Sequence, residues 1–353
     1  MINQPQAKSL MWVSLLLACA AASAEELPVT TQIVDLANKV DGVHPGYRAF
    51  HAKGVVVEGS FKASAEAARL SRATLFSGRT IAVTARFSDG SGMPQVPDGS
   101  PAMPRGIAIK YHLPGGSDTD MVTNSFKFFP VGTGEDFRGL LQAIVASPAD
   151  APKPTKLEQF FATHPNAPKA IGSLPIPDSF AHEEYHGIDA FIFVSKSGHR
   201  QPVRYLVVPE QLVHISPEAA AKQPPDYLFD ELAKRIAQQP VVFHLKAQLA
   251  EPGDQTRDAS QPWPDDRRVV ELGVLTLNKV VPNSPAAERK LLFVPTNLTA
   301  GIELSDDPLP SVRAAAYAVS FGRRSQPSSA SSRPDNMDGH TSDAATQPST
   351  VSP

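Results

Sequence analysis

Arg48-Ala-Phe-His51-Ala-Lys-Gly54 sets a guanidinium and an imidazole three residues apart, just before the β-branched run Val55-Val56-Val57, which predicts a strand. Histidine titrates close to neutral pH, so it can take up a proton and return it within one reaction. A single such residue is more often an ordinary surface or core histidine, and its meaning depends on what distant stretches bring to it. Thr80 to Ser88 alternates as a half-buried strand, and the two-residue period puts Arg86 and Ser88 on one face. Asn124 closes a later strand-like run. Near the end, Arg313 and Tyr317 stand four residues apart in an alanine-rich segment, hence side by side on a helix, with Arg324 seven residues beyond, close to the same face. A guanidinium beside a phenol favours the phenolate, because an adjacent cation stabilises the charged form.

These groups need a frame. Strands are predicted at Val55–Phe61, Thr80–Ser88, Gly106–Tyr111, Asp120–Asn124, Ala190–Val194, Val203–Pro209, Val241–Leu249 and Val269–Leu277, with Gly115-Gly116 as a hairpin turn. Apolar residues at helical spacing predict helices at Val29–Val40, Ala65–Leu70, Phe137–Val145, Thr155–Ala162, Asp226–Gln238 and Ser311–Arg324. Residues 89–105, 163–185 and 252–268 are rich in Gly, Pro or Asp and read as irregular connections. Consecutive strands joined by hairpins and long loops have edges to hide, which points to an α+β fold built on a closed antiparallel β-barrel.

The 353 residues carry a net charge of −3 and 41% hydrophobic residues, an ordinary globular composition without the basic surplus of a nucleic-acid binder. Lys8, the apolar run Leu10–Ala22 and Ala22-Ser23-Ala24 predict a secretory leader over 1–24, too short to span a bilayer. Leu16-Leu17-Ala18-Cys19 resembles a lipoprotein box, so a lipid anchor at Cys19 is the alternative; either route leads to the periplasm in a bacterial cell. Cys19 is the only cysteine, so a chain cut after Ala24 has no disulfide and no thiolate. Residues 25–324 form the folded domain, and 325–353 a disordered Ser/Pro-rich tail.

Taken in order, Arg48-x-x-His51-Ala-Lys-Gly54, Arg86-Phe87-Ser88, Asn124-x-x-x-Phe128-Phe129, Gly301-Ile302-Glu303-x-Ser305-Asp306-Asp307 and Arg313-x-x-x-Tyr317 resemble the haem catalase family, over about residues 30–325. The chain is short for that family and resembles its reduced, exported branch, the catalase-related peroxidases. The resemblance implies a catalase-like barrel holding haem b. In it Tyr317 is the proximal iron ligand, kept ionised by Arg313. It implies His51 as general base and then acid, Asn124 as donor to the peroxide, and Ser88 as the group that fixes the His51 tautomer. Arg48, Arg86 and Arg324 would pair with the haem propionates, and Phe87, Phe128 and Phe129 would pack on the porphyrin or line the distal side.

The implied reaction reduces organic hydroperoxides and hydrogen peroxide through a ferryl intermediate, with a small one-electron reductant. A true catalase and a haem- or lipid-binding barrel without turnover are the alternatives. The missing interlocking arm implies a monomer or simple homo-oligomer. The sequence departs from the family pattern at Ala318, Val319, Phe126 and Asp189; the last stands where a histidine is common, which alters the proximal hydrogen bonding.

Overall fold

The computed structural model describes residues 26–326. The predicted leader, and the predicted tail beyond Gln326, lie outside the described residues. Helix α1 (Val29–Asp41) opens the chain and buries Ile33, Val34, Leu36 and Ala37 on one stripe. There follow β1 (Gly54–Ala63), α2 (Ala65–Leu70), β2 (Thr80–Asp89), β3 (Arg105–His112) and β4 (Asp118–Asn124). Three helices come next, α3 (Gly134–Val145), α4 (Lys156–Thr163) and α5 (Asn166–Gly172). Then come β5 (Tyr185–His186), β6 (Phe191–Val194), β7 (Arg200–Pro209), α6 (Pro217–Ala220), α7 (Tyr227–Gln238), β8 (Val241–Leu249) and β9 (Val269–Val280). The chain closes with α8 (Ser284–Lys290), β10 (Ile302–Leu304) and α9 (Leu309–Arg324).

The predicted closed antiparallel barrel is present. Strands β1 to β4 pair in sequence order; β4 then meets β5, β5 meets β7, β7 meets β8, β8 meets β9, and β9 returns to β1. Closure removes the free edges that a sheet of this size would otherwise expose. Strand β6 pairs with the start of β7 and carries β10 on its far side. The interior is filled by side chains, as an eight-strand barrel requires. Phe61, Phe76, Phe87, Tyr111, Phe180, Tyr185, Phe193 and Phe243 are all wholly or almost wholly buried there.

Phe87, expected from the resemblance to pack on the porphyrin, lies in this interior. Its ring lies 5.4 Å from Phe180, 6.2 Å from Tyr185 and 6.1 Å from Phe243. The alternation that sends Arg86 and Ser88 outward from the barrel sends the residue between them inward.

The first and last helices of the described residues meet outside the barrel. Val34 and Ala37 of α1, Ala49 of the opening motif and Ala316 of α9 form one small apolar cluster, flanked by Phe50 and Val319. The Ala49 amide donates to Ser320 Oγ at 3.1 Å. The segment leading into His51 is thereby clamped to the helix that carries Tyr317. Helices α5 and α8 occupy stretches without a predicted helix. Both are seven residues long, and each carries a proline near its start or middle that hides the helical period.

Candidate active site

His51 sits in the left-handed backbone region, with φ 55°. For a residue with a Cβ that conformation costs energy and persists only where the surroundings hold it. Here the His51 amide donates to the Gly90 carbonyl at 3.2 Å, and Arg86 Nη2 donates to the His51 carbonyl at 2.8 Å. The ring follows from this: Nδ1 lies 3.0 Å from Ser88 Oγ. Ser88, Gly106 and Asn124 are register partners on β2, β3 and β4, so they form one row beneath the imidazole. Gly106 in the middle leaves the ring its space, since a Cβ there would lie 3.1 Å from His51 Cε1 and 3.2 Å from Ser88 Oγ. Asn124 Oδ1 accepts from the Phe126 amide at 2.9 Å, which leaves the Nδ2 hydrogens to donate elsewhere.

Burial pushes the His51 pKa down, and Arg86, Arg313 and Arg48 push it further, from 6.5 to about 3. The imidazole is therefore a neutral base across the physiological range. Above pH 6.5 the folded and unfolded chains both carry it neutral, and it adds nothing to the pH dependence of stability. As the pH falls from 6.5 towards 3 the unfolded chain takes a proton that the folded chain refuses, so stability is lost through that window. His51→Asn, which tolerates the left-handed backbone, should flatten this branch. Its urea midpoint should fall less than the parent's between about pH 7 and pH 4.

On α9, Arg313 Nε donates to Tyr317 Oη at 3.3 Å, and Arg313 Nη1 donates to Asp189 Oδ2 in the bend between β5 and β6. Burial alone would lower the Arg313 pKa; the Asp189 charge, then Tyr317, overcome this and raise it. The guanidinium is thus a fixed cation between a phenol and a carboxylate. Asp307, which accepts from the Leu309 amide at the start of α9, is pushed up to about 7 by burial and then by Asp189. Asp189 Oδ1 and Asp307 Oδ2 are buried without a partner.

A third group gathers at the end of α8. Glu288 Oε2 lies 2.9 Å from Arg86 Nε, 2.7 Å from Arg86 Nη2 and 3.2 Å from Arg48 Nη1. Arg48 and Arg324 both donate to the Leu291 carbonyl, at 3.0 and 2.6 Å. Arg324 Nε is buried with no partner, and burial, then Arg86, push the Arg324 pKa down to about 10. Gly54 makes room for this packing: a Cβ there would lie 2.1 Å from Arg86 Nη2. Gly54→Ala should cost about 1–3 kcal/mol, because the buried guanidinium must move off Glu288. A lower urea midpoint at unchanged m-value would check it.

These groups occupy the shared border of the barrel wall, α8 and α9. A family model described as catalase matches residues 30–329. The chain belongs to the catalase family. A catalase-related peroxidase of Mycolicibacterium paratuberculosis is 36% identical over 306 residues, which are 83% of this chain and 94% of that protein. Another, of Synechococcus elongatus, is 33% identical over 303 residues, 84% of this chain and 88% of its own. The crystal structure of a fungal catalase superimposes with a TM-score of 0.72 at 20% identity, covering 92% of this chain and 66% of the fungal one. The barrel is therefore shared where the sequence has diverged.

Within this catalase-family frame, the residues singled out by sequence fall into three groups. His51, Ser88 and Asn124 stand together. Arg313 and Tyr317 stand together on α9, and the Arg313 charge still reaches His51. Arg48, Arg86 and Arg324 converge on α8. Phe129 joins a run of rings, 6.1 Å from Phe126 and 5.3 Å from Phe137, and Phe137 lies 5.9 Å from Phe50, the neighbour of His51. Sequence reasoning missed Glu288, which lies on a helix it did not predict. Gly106 was also missed as a spacer, although a glycine interrupting a strand pattern signals close approach. Asp189 was noted as a departure, but its partner Arg313 is 124 residues away and invisible to local reasoning.

Proposed function

We propose that this catalase-family chain is a haem b peroxidase that reduces organic hydroperoxides and hydrogen peroxide with a small one-electron reductant, on the periplasmic side. One observation carries the reading: a neutral imidazole and an arginine-bound phenol lie in adjoining segments clamped by the Ala49–Ser320 contact. The residues fit haem. Tyr317 Oη would be the oxygen donor to the iron, with the Arg313 guanidinium beside it as counter-ion. Three guanidiniums against one carboxylate leave two positive charges for the two propionates. When bound, haem supplies the iron redox chemistry that cleaves the peroxide O–O bond.

The chain's own residues manage the proton. His51 Nδ1 lies 3.0 Å from Ser88 Oγ; in the tautomer that donates Nδ1–H to this hydroxyl, the Nε2 lone pair would take the proton of the peroxide hydroxyl. His51 then returns it to the departing oxygen. Asn124 Nδ2 donates to the peroxide and fixes its orientation. The catalase-related peroxidase names of the two bacterial relatives, and their near full-length match, support this branch. The family match equally allows a catalase that dismutates hydrogen peroxide, and oxygen evolution far exceeding peroxidation would select it.

The test is an absorbance spectrum of the purified protein before and after cumene hydroperoxide. A ferric haem band that shifts on addition and returns with a reductant is expected. A haem band unmoved by peroxide would leave a haem-binding barrel without turnover, and no band would overturn the haem assignment. Mass spectrometry of the mature protein should find Glu25 at its start; a lipidated Cys19 would establish the anchor instead.

A further inference from the structure

We propose that Glu288 is a positioning residue that stands in for a ligand carboxylate, holding the three-arginine cradle together until the cofactor is loaded. This rests on the haem reading above. Arginine stays charged in proteins, so Arg48, Arg86 and Arg324 bring three cations to one place away from bulk water. Such a cluster repels itself: Arg86 and Arg324 both depress Arg48, and Arg86 depresses Arg324. Among the described residues, Glu288 is the carboxylate whose charge opposes this at both Arg48 and Arg324. Its side chain is 11% exposed, and one oxygen serves both Arg86 and Arg48.

Backbone completes the arrangement. The Glu288 carbonyl accepts from Arg48 at 3.3 Å, and the Leu291 carbonyl just past α8 is shared by Arg48 and Arg324. No carboxylate touches Arg324 among the described residues, and its Nε is orphaned. The charge count is three positive less one negative, which leaves two. An entering dicarboxylate neutralises the remainder, and it competes with Glu288 for Arg48 and Arg86. Glu288 therefore stabilises the haem-free chain more than the loaded one.

The test uses Glu288→Gln in the full-length chain, produced with and without haem supply, and reads thermal melting and the rate of haem loss to a scavenger. The haem-free variant should melt roughly 5–10 °C below the haem-free parent, since Arg86 and Arg48 lose the carboxylate they share and Arg324 loses an opposing charge nearby. The loaded variant should melt closer to its parent, so the rise on loading is larger in the variant, and haem should leave no faster. A variant that folds only with haem is the extreme of the same result. Haem dimethyl ester, which lacks free carboxylates, should not give the larger rise. Equal loss in both forms, faster haem loss, or the same rise with the ester would make Glu288 an ordinary structural ion pair and overturn the proposal. A parent whose melting does not respond to haem would overturn the haem reading, and this proposal with it.

Discussion

Tyr317→Phe should yield a folded protein without its haem band. The substitution deletes one oxygen. That oxygen's contact in the structure is Arg313 Nε at 3.3 Å, and Arg313 keeps its ion pair with Asp189 when the phenol is gone. Tyr317 is half-buried on α9 and takes no part in the barrel core, so the fold loses about 1 kcal/mol, the net worth of one hydrogen bond. On the proposed assignment the iron, by contrast, loses its protein ligand. Circular dichroism should match the parent, and the ratio of haem to protein absorbance should collapse. Full occupancy with retained activity would show that the ligand lies elsewhere.

His51→Asn tests the other side and separates chemistry from cofactor binding. Asparagine accepts the φ of 55° that position 51 requires. It keeps a polar group near Ser88 but cannot carry a proton between two oxygens. General acid–base catalysis contributes roughly 10²–10⁴-fold, so the second-order rate with peroxide should fall by that factor. The haem band should stay, because the ligand and the arginine cradle are untouched. The parent rate should show no loss of a neutral base near pH 6.5, since the His51 pKa is lowered to about 3. A fall in the parent's rate centred near pH 6.5 would mean that the base is another group.

Much of the frame was legible because its signals are local. Alternation in Thr80–Ser88 and Val241–Leu249 marked strands that the barrel uses almost unchanged, as β2 and β8. Helical spacing marked α1, α3, α4, α7 and α9 to within a few residues. The Thr155 cap of α4 is a complete capping box with Glu158. Short elements failed for the opposite reason: seven residues with an internal proline give too little periodicity to separate α5 or α8 from a loop.

The sequence by itself determined which chemical groups the protein owns and how they are spaced along each element: an imidazole before a strand, Arg86 and Ser88 on one face, a guanidinium one helical turn from a phenol. Those follow from periods of two and about 3.6 residues, which need no knowledge of the fold. Only the tertiary structure decided which face became the site. Barrel closure turned Phe87 inward and Arg86 outward, and the contact of α9 with residue 49 joined two segments far apart in sequence. It also gave Arg313 its Asp189 and the arginine cluster its Glu288. Burial and charge act through space, so a histidine's pKa or an arginine's partner depends on neighbours more than 100 residues away, which no local pattern records.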